Sequence, residues 1–142
     1  MPLTNSIVSI LDPTALGKSH PAYGEITIVP LSDTVKQITI SGQPAIDPKG
    51  ETPSELAEQI DLCLSRVSTC LEAAGATKQD MTRFMYYFTE KAWEEPGALE
   101  LLTEKALSWL EGHRPASCCL IVKSLSVPQF LCEFEAQAVV RQ

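Results

Sequence analysis

Residues 130–140 read FLCEFEAQAVV, and residues 113–122 read HRPASCCLIV. Both runs are mainly apolar and are predicted to be strands. Side chains two positions apart on a strand point to the same face, so Glu133 and Glu135 share one face while Phe134 points to the other. A carboxylate on a mostly apolar sheet requires a partner, a proton or a solvent-filled cleft. The sequence therefore predicts that chemistry takes place on this strand.

The composition limits the class of protein. The chain has 142 residues, of which 44% are hydrophobic, and this predicts one domain with a core over residues 1–142. The net charge of −7 argues against a nucleic-acid partner. No apolar run approaches the roughly 20 residues that span a bilayer, and no basic residue precedes the apolar part of Met1 to Ile10, so neither a membrane span nor a signal peptide is expected. Five cysteines without CxxC spacing indicate reduced thiols and a cytoplasmic protein.

The predicted elements alternate in the order β-β-β-α-β-α-β-β. This order predicts an α+β fold in which two helices cover one face of a mixed sheet. Because the strands are read as apolar on both faces and no further element remains to cover the second face, we expect a homo-oligomer. The strands are predicted at 6–11, 25–31, 35–41, 80–90, 113–122 and 130–140, and the helices at 53–74 and 94–111.

The first helix has recognisable ends. Thr52 and Glu55 are spaced as a capping box, and Gly75 is a typical C-terminal stop. Cys63 and Cys70 fall on its apolar stripe, which favours core packing over a ligand role.

Several short motifs together resemble the RidA/YjgF/YER057c family over about residues 20–140. The resemblance implies a chorismate-mutase-like fold and a homotrimer with a central barrel and three clefts between subunits. It also implies hydrolysis of reactive enamines and imines to ketoacids and ammonia, without metal or organic cofactor. The motifs are ISGQ at 40–43, DPKG at 47–50, LEAAGA at 71–76, RPA at 114–116 and EFEAQAV at 133–139.

The family signature Pro-Ala-Arg is altered in this chain. Its arginine grips the substrate carboxylate through a bidentate pair, whereas residues 115–117 read Pro-Ala-Ser. Ser117 supplies neither the charge nor the fork of a guanidinium. The change predicts poor activity on simple amino-acid-derived enamines and a larger, less anionic substrate, in a specialised secondary pathway.

The resemblance also implies the site residues. Glu133 matches the glutamate that positions the attacking water, so it is the candidate catalytic acid/base, with a salt-bridged edge carboxylate as the alternative. An inert buried thiol remains the alternative for Cys119, and a structural ion pair remains the alternative for Arg114. His113 beside two adjacent cysteines does not have the spacing of a metal site. The candidate substrate-binding residues are Tyr23, Ser41, Gly42, Arg114, Ser117 and Cys119.

Two functions follow from these observations. The first is a cofactor-free enzyme that acts by acid/base chemistry at clefts between subunits, on an imine, an enamine or a related unsaturated small molecule. The second is a non-catalytic trimer that binds a metabolite or a protein.

Overall fold

A computed structural model describes residues 6–142. The prediction of no signal peptide falls partly on residues 1–5, which lie outside the described residues. No helix of the described part is both long and apolar enough to cross a membrane. The elements in chain order are β1 Ser9–Leu11, β2 Ile26–Ser32, β3 Val35–Pro44, α1 Leu56–Ala73, β4 Met81–Thr89, α2 Glu90–Trp93, α3 Ala98–Leu110, β5 Ala116–Val122 and β6 Cys132–Arg141.

The strands form one mixed sheet with the order β1-β2-β3-β6-β4-β5. All neighbouring strands are antiparallel except β4 and β5, which are parallel. The last strand, β6, lies between β3 and β4, with Ala136 opposite Ile40 and Phe134 opposite Tyr86. This arrangement confirms the predicted mixed sheet of an α+β fold.

The two long helices cover one face of the sheet, as predicted. Helix α1 packs on β3 and β6, and α3 packs beside α1. The Trp109 ring of α3 packs at a tilt against Phe84, with 5.3 Å between ring centroids, and its Nε1 donates a hydrogen bond to Ser68 Oγ at 2.9 Å. Phe84 and Phe134 are fully buried beneath these helices. The aromatic side chains of β4 and β6 therefore form the centre of the core.

The side chains of β6 alternate as the sequence predicts. Phe134 and Ala136 are buried on the helix face, while Glu133 and Glu135 are half-buried on the other face. The prediction that the second face is apolar is wrong in part, because this face also carries polar side chains such as Gln37, Thr39 and Arg83. Polar side chains of β3, β4 and β6 therefore occupy part of this face.

The predicted start of the first helix is also wrong. Helix α1 begins at Leu56, and Glu55 is an N-cap residue with extended backbone angles and no side-chain capping bond. Buried Gln59 donates its Nε2 to the Pro53 carbonyl at 2.8 Å, which holds the preceding segment outside the helix. The predicted end is confirmed, since Gly75 has the left-handed φ of +76° that follows a helix C-terminus.

Several other boundaries differ from the prediction: β3 extends to Pro44, α3 begins at Ala98 and β5 begins at Ala116. The first strand is shorter than 6–11 and covers only Ser9–Leu11. At the end of β4, Thr89 Oγ1 accepts a hydrogen bond from the Ala92 backbone N–H at 3.2 Å. This N-cap starts the short helix α2, which the sequence did not predict.

Candidate active site

A cavity of about 790 Å³ lies beside the adjoining ends of β3 and β6. Of the predicted site residues, Tyr23, Gly42 and Glu133 line it. Its size is within the range of about 300–1,000 Å³ that small-molecule sites occupy.

Glu133 reaches the cavity because the neighbouring strand makes room for its side chain. The pairing of β3 with β6 is irregular between Ile40 and Gln43, and Gly42 lies within this irregularity. A Cβ at position 42 would overlap the Glu133 carboxylate. Gly42 therefore allows a close approach of the candidate catalytic carboxylate.

The Glu133 carboxylate is free to exchange a proton with a ligand in the cavity. Within residues 6–142 it has no hydrogen-bond or ion-pair partner. Burial raises the pKa of Glu133 above its ordinary value of 4.5, and the negative charge of Glu135 raises it further. A carboxyl group whose pKa is shifted toward neutral is suited to general acid/base work.

Glu135 occupies a different environment, although it shares the sheet face of Glu133. The Tyr87 hydroxyl donates a hydrogen bond to Glu135 Oε1 at 2.8 Å. Glu135 lines a separate pocket of about 90 Å³ together with Arg83. The two carboxylates therefore have separate roles, and only Glu133 belongs to the large cavity.

Replacing Glu133 with Gln is expected to raise the melting temperature near neutral pH. Because the folded state raises the pKa of Glu133, the folded protein binds this proton more tightly than the unfolded chain. The wild type therefore loses stability as the pH rises through the folded pKa. Gln does not ionise, so the gain should be present above that pKa and disappear below 4.5. Thermal unfolding of both proteins between about pH 4 and pH 8 measures this effect. A difference that does not change with pH would contradict it.

Ser41 has a positioning contact rather than a place in the cavity lining. Its Oγ donates a hydrogen bond to the Gly24 carbonyl at 2.6 Å, and its backbone N–H donates to the Glu25 carbonyl at 2.9 Å. These bonds fix the end of the loop that carries Tyr23. The predicted substrate contact of Ser41 stays a prediction.

Three predicted residues lie away from the cavity of their own chain. Ser117 and Cys119 are on β5, which is separated from β6 by β4, and Arg114 precedes β5. All three are exposed, and Arg114 has no ion-pair partner within residues 6–142. Cys119 is therefore not the buried thiol of the alternative interpretation. Packing beside Tyr86 still desolvates the Cys119 thiol and raises its pKa, so it is not an activated nucleophile.

A buried polar chain was missed by the sequence reasoning. Glu25 Oε2 accepts a hydrogen bond from Gln43 Nε2 at 2.8 Å, and Gln43 Oε1 accepts one from Arg66 Nε at 3.1 Å. Arg66 Nη1 donates to the carbonyls of Ile46 at 2.9 Å and Leu16 at 3.5 Å. This chain connects α1, β3 and the loop before β2, and both of its charged members line the cavity.

The residues that suggested a metal site do not form one. His113 Nε2 lies 2.8 Å from the Met81 carbonyl oxygen and is engaged there. Within the described part of the chain, no three His, Cys, Asp or Glu side chains are placed to hold a metal ion.

The family follows from a sequence comparison. Residues 24–140 match the family model described as Endoribonuclease L-PSP. The chain belongs to this family, which is the YjgF/RidA family. The resemblance stated from the sequence motifs is thereby confirmed. No curated protein sequence matches the chain significantly.

Several solved structures share the fold. The YjgF gene product of Escherichia coli is 24% identical with a TM-score of 0.74. TdcF of Escherichia coli, solved with bound serine, is 22% identical with a TM-score of 0.75. YyfA of Yersinia pestis, described as a protein of unknown function of the conserved Rid protein family, is 19% identical with a TM-score of 0.77. Each alignment covers 94% of this chain and 99% of the other. At these identities the likeness establishes the fold alone.

Proposed function

We propose that this protein is a small-molecule enzyme in which Glu133 performs acid/base chemistry on an imine, an enamine or a related unsaturated intermediate. Membership of the YjgF/RidA family supports a role in small-molecule processing. The observation that carries the proposal is the Glu133 carboxylate, which is unpartnered within the described chain, desolvated and lines a cavity of about 790 Å³. The bound serine of TdcF supports a small polar metabolite as the ligand class.

The chemistry needs only one carboxyl group and water. In imine hydrolysis, Glu133 takes a proton from a water molecule whose oxygen attacks the C=N carbon, while the nitrogen gains a proton from a second, solvent water. The hydroxyl of the resulting carbinolamine then returns a proton to solvent as the C–N bond breaks. Glu133 returns its proton to the departing nitrogen, so that ketone and ammonia are released and the carboxylate is regenerated.

The proposal includes a homotrimer, because the predicted site residues of one chain lie in two separate places. Glu133 lines the cavity, while Ser117 and Cys119 lie on the exposed edge strand β5. An edge strand with exposed apolar side chains is a natural surface for a second copy. A neighbouring β5 placed against the cavity would complete the site. A single domain over residues 1–142, a cytoplasmic location and a specialised secondary pathway belong to the same proposal.

The role of position 117 provides the test. Wild type is expected to release ammonia slowly from 2-aminoacrylate generated in place. Ser117→Arg should be at least about tenfold faster, because a charge-assisted pair to the carboxylate contributes about 1.5–3 kcal/mol.

The matched control is Cys118→Arg, which places the same charge on the opposite face of β5. If Ser117→Arg releases ammonia no faster than the wild type, or if both variants are accelerated equally, Ser117 of a neighbouring subunit does not lie in the cavity. The alternative, a non-catalytic binding trimer, predicts that the wild type turns over no imine or enamine at all.

A further inference from the structure

Arg66 is a buried charge without a direct ionic partner. Its side chain is 6% exposed, and its hydrogen bonds go to Gln43 Oε1 and to the carbonyls of Ile46 and Leu16. All of these acceptors are neutral. No carboxylate of residues 6–142 lies within ion-pair distance of Arg66. Because charged side chains are rarely buried unless they are paired, this cation is incompletely compensated.

The carboxylates that line the same cavity are engaged elsewhere or lie at a distance. Glu25 reaches Arg66 only through the Gln43 amide. Asp47 Oδ1 accepts hydrogen bonds from the backbone N–H groups of Lys49 and Glu51, both at 2.9 Å. Glu25 therefore compensates the Nε side of the guanidinium, and the other side remains available.

The available side is the Nη2 amino group. A guanidinium has five N–H donors, and the hydrogen bonds above engage Nε and Nη1, while Nη2 has no partner in the described chain. Since no fully buried side-chain nitrogen or oxygen of the described residues lacks a partner, Nη2 retains access to the cavity that Arg66 lines. The three hydrogen bonds from Nε and Nη1 hold the guanidinium and leave the Nη2 group with two donors for a ligand.

We infer that the Nη2 edge of Arg66 binds an anionic group of the substrate, most simply a carboxylate. Arg66 reaches this cavity from the helix face of the sheet by way of Gln43, while Glu133 lies on the opposite face across Gly42. The anionic group would therefore be separated from the carbon on which Glu133 acts. The substrate class is an unsaturated intermediate with a carboxylate remote from its reacting carbon. The statement about reaction rests on the proposed function, whereas the binding site does not.

This inference revises one expectation from the sequence. Ser117 removes the cation that would hold an α-carboxylate, and a less anionic substrate was expected for that reason. Arg66 supplies a cation from α1, so the guest is larger but still anionic. The family arginine and Arg66 lie on different elements and would orient a substrate differently.

The test compares probes that differ in charge at the remote end. 4-Oxopentanoate and 4-oxopentanamide share a ketone, and only the first carries a charge. Calorimetric titration of the wild type should give at least about tenfold tighter binding of the carboxylate, which is the effect of one charge-assisted hydrogen bond. Arg66→Gln should bind both probes equally, and Arg66→Lys should keep part of the preference. The control Lys49→Gln removes an exposed cation of the cavity rim and should change the preference less than about twofold, because exposed charges are screened.

Arg66 also connects three segments, so the wild type provides a second measurement that does not depend on a variant. In the ¹⁵N spectrum, the Arg66 Nε–Hε signal should shift with 4-oxopentanoate and not with the amide. Equal binding of the two probes by the wild type, or no binding of either, overturns the inference. If the carboxylate preference is present but imine turnover is absent, the proposed function fails and the binding site stands. If Glu133-dependent turnover occurs but the carboxylate is not preferred, the proposed function stands and the Arg66 binding site fails.

Discussion

Replacing Glu133 with Gln is expected to reduce kcat/KM on the proposed imine or enamine substrate at least about 100-fold, because general acid/base catalysis contributes roughly 10²–10⁴-fold. Gln has the size and polarity of Glu but neither accepts a proton from water nor returns one to nitrogen. The carboxylate packs directly against Gly42, where an added Cβ would overlap it, and Gln at position 133 keeps this fit. The measurement is the initial rate of ammonia release over a range of substrate concentrations.

The pH dependence separates catalysis from simple loss of binding. With Glu133 as the base, the wild-type rate should rise with pH through a pKa above 4.5, and this rise should be absent from any residual activity of Glu133→Gln. Glu135→Gln is the matched control, since it lies two residues away on the same face with its carboxylate bound to Tyr87. This control should keep its activity within about threefold and move the rise to lower pH, because the Glu135 charge helps to raise the pKa of Glu133. If both variants lose the same activity, the loss comes from removing any charge on this sheet face and not from removing a catalytic base.

The sequence predicted well what depends on local periodicity. The alternation around Phe134 identified the buried and open faces of β6, and the motifs identified the family. The start of α1 could not be predicted in this way, because it is determined by Gln59, which bonds to Pro53 and also to the Gln129 carbonyl, 70 positions along the chain. A capping pattern at Thr52 carries no information about such a distant partner.

Arg66 is a charged residue on an apolar helix stripe, a sequence feature that points to a functional role. It lies three residues after Cys63 and four before Cys70, so it falls on the apolar stripe of α1. A charged residue at such a position is either paired in the core or directed into a cavity. The hydrogen-bonded chain through Gln43 to Glu25 spans three distant segments, and only the folded structure reveals it. The sequence shows that a charge at this position is unusual, but it does not show that the side chain points toward the cavity.

Leu120→Asp is expected to convert the proposed trimer to monomers and to remove its activity. Every residue of β5 except Val122 is exposed in the single chain, and Leu120 and Ile121 are 42% and 41% exposed. The parallel neighbour β4 covers one edge of this strand, and the other edge is open. Burying a leucine contributes about 1.5–3 kcal/mol, and an aspartate in its place would lose this contribution and add an unpaired buried charge at every subunit contact. The fold of the chain should survive, since position 120 lies outside its core.

Sedimentation velocity and far-UV circular dichroism test the assembly and the fold separately. The mass of the wild type from sedimentation should be three times that of one chain. Leu120→Asp should have the mass of one chain and an unchanged circular dichroism spectrum. The control is Leu107→Asp on α3, where the leucine is 67% exposed and the helix is expected on the outside of the trimer. This variant should remain trimeric and active. A wild type that sediments as a monomer would remove the neighbouring β5 from the site, and the cavity beside Glu133 would then have to act without Ser117 and Cys119. A Leu120→Asp variant that stays trimeric would instead place the subunit contact on another surface, since three copies cannot join through β5 and still accommodate the buried charges.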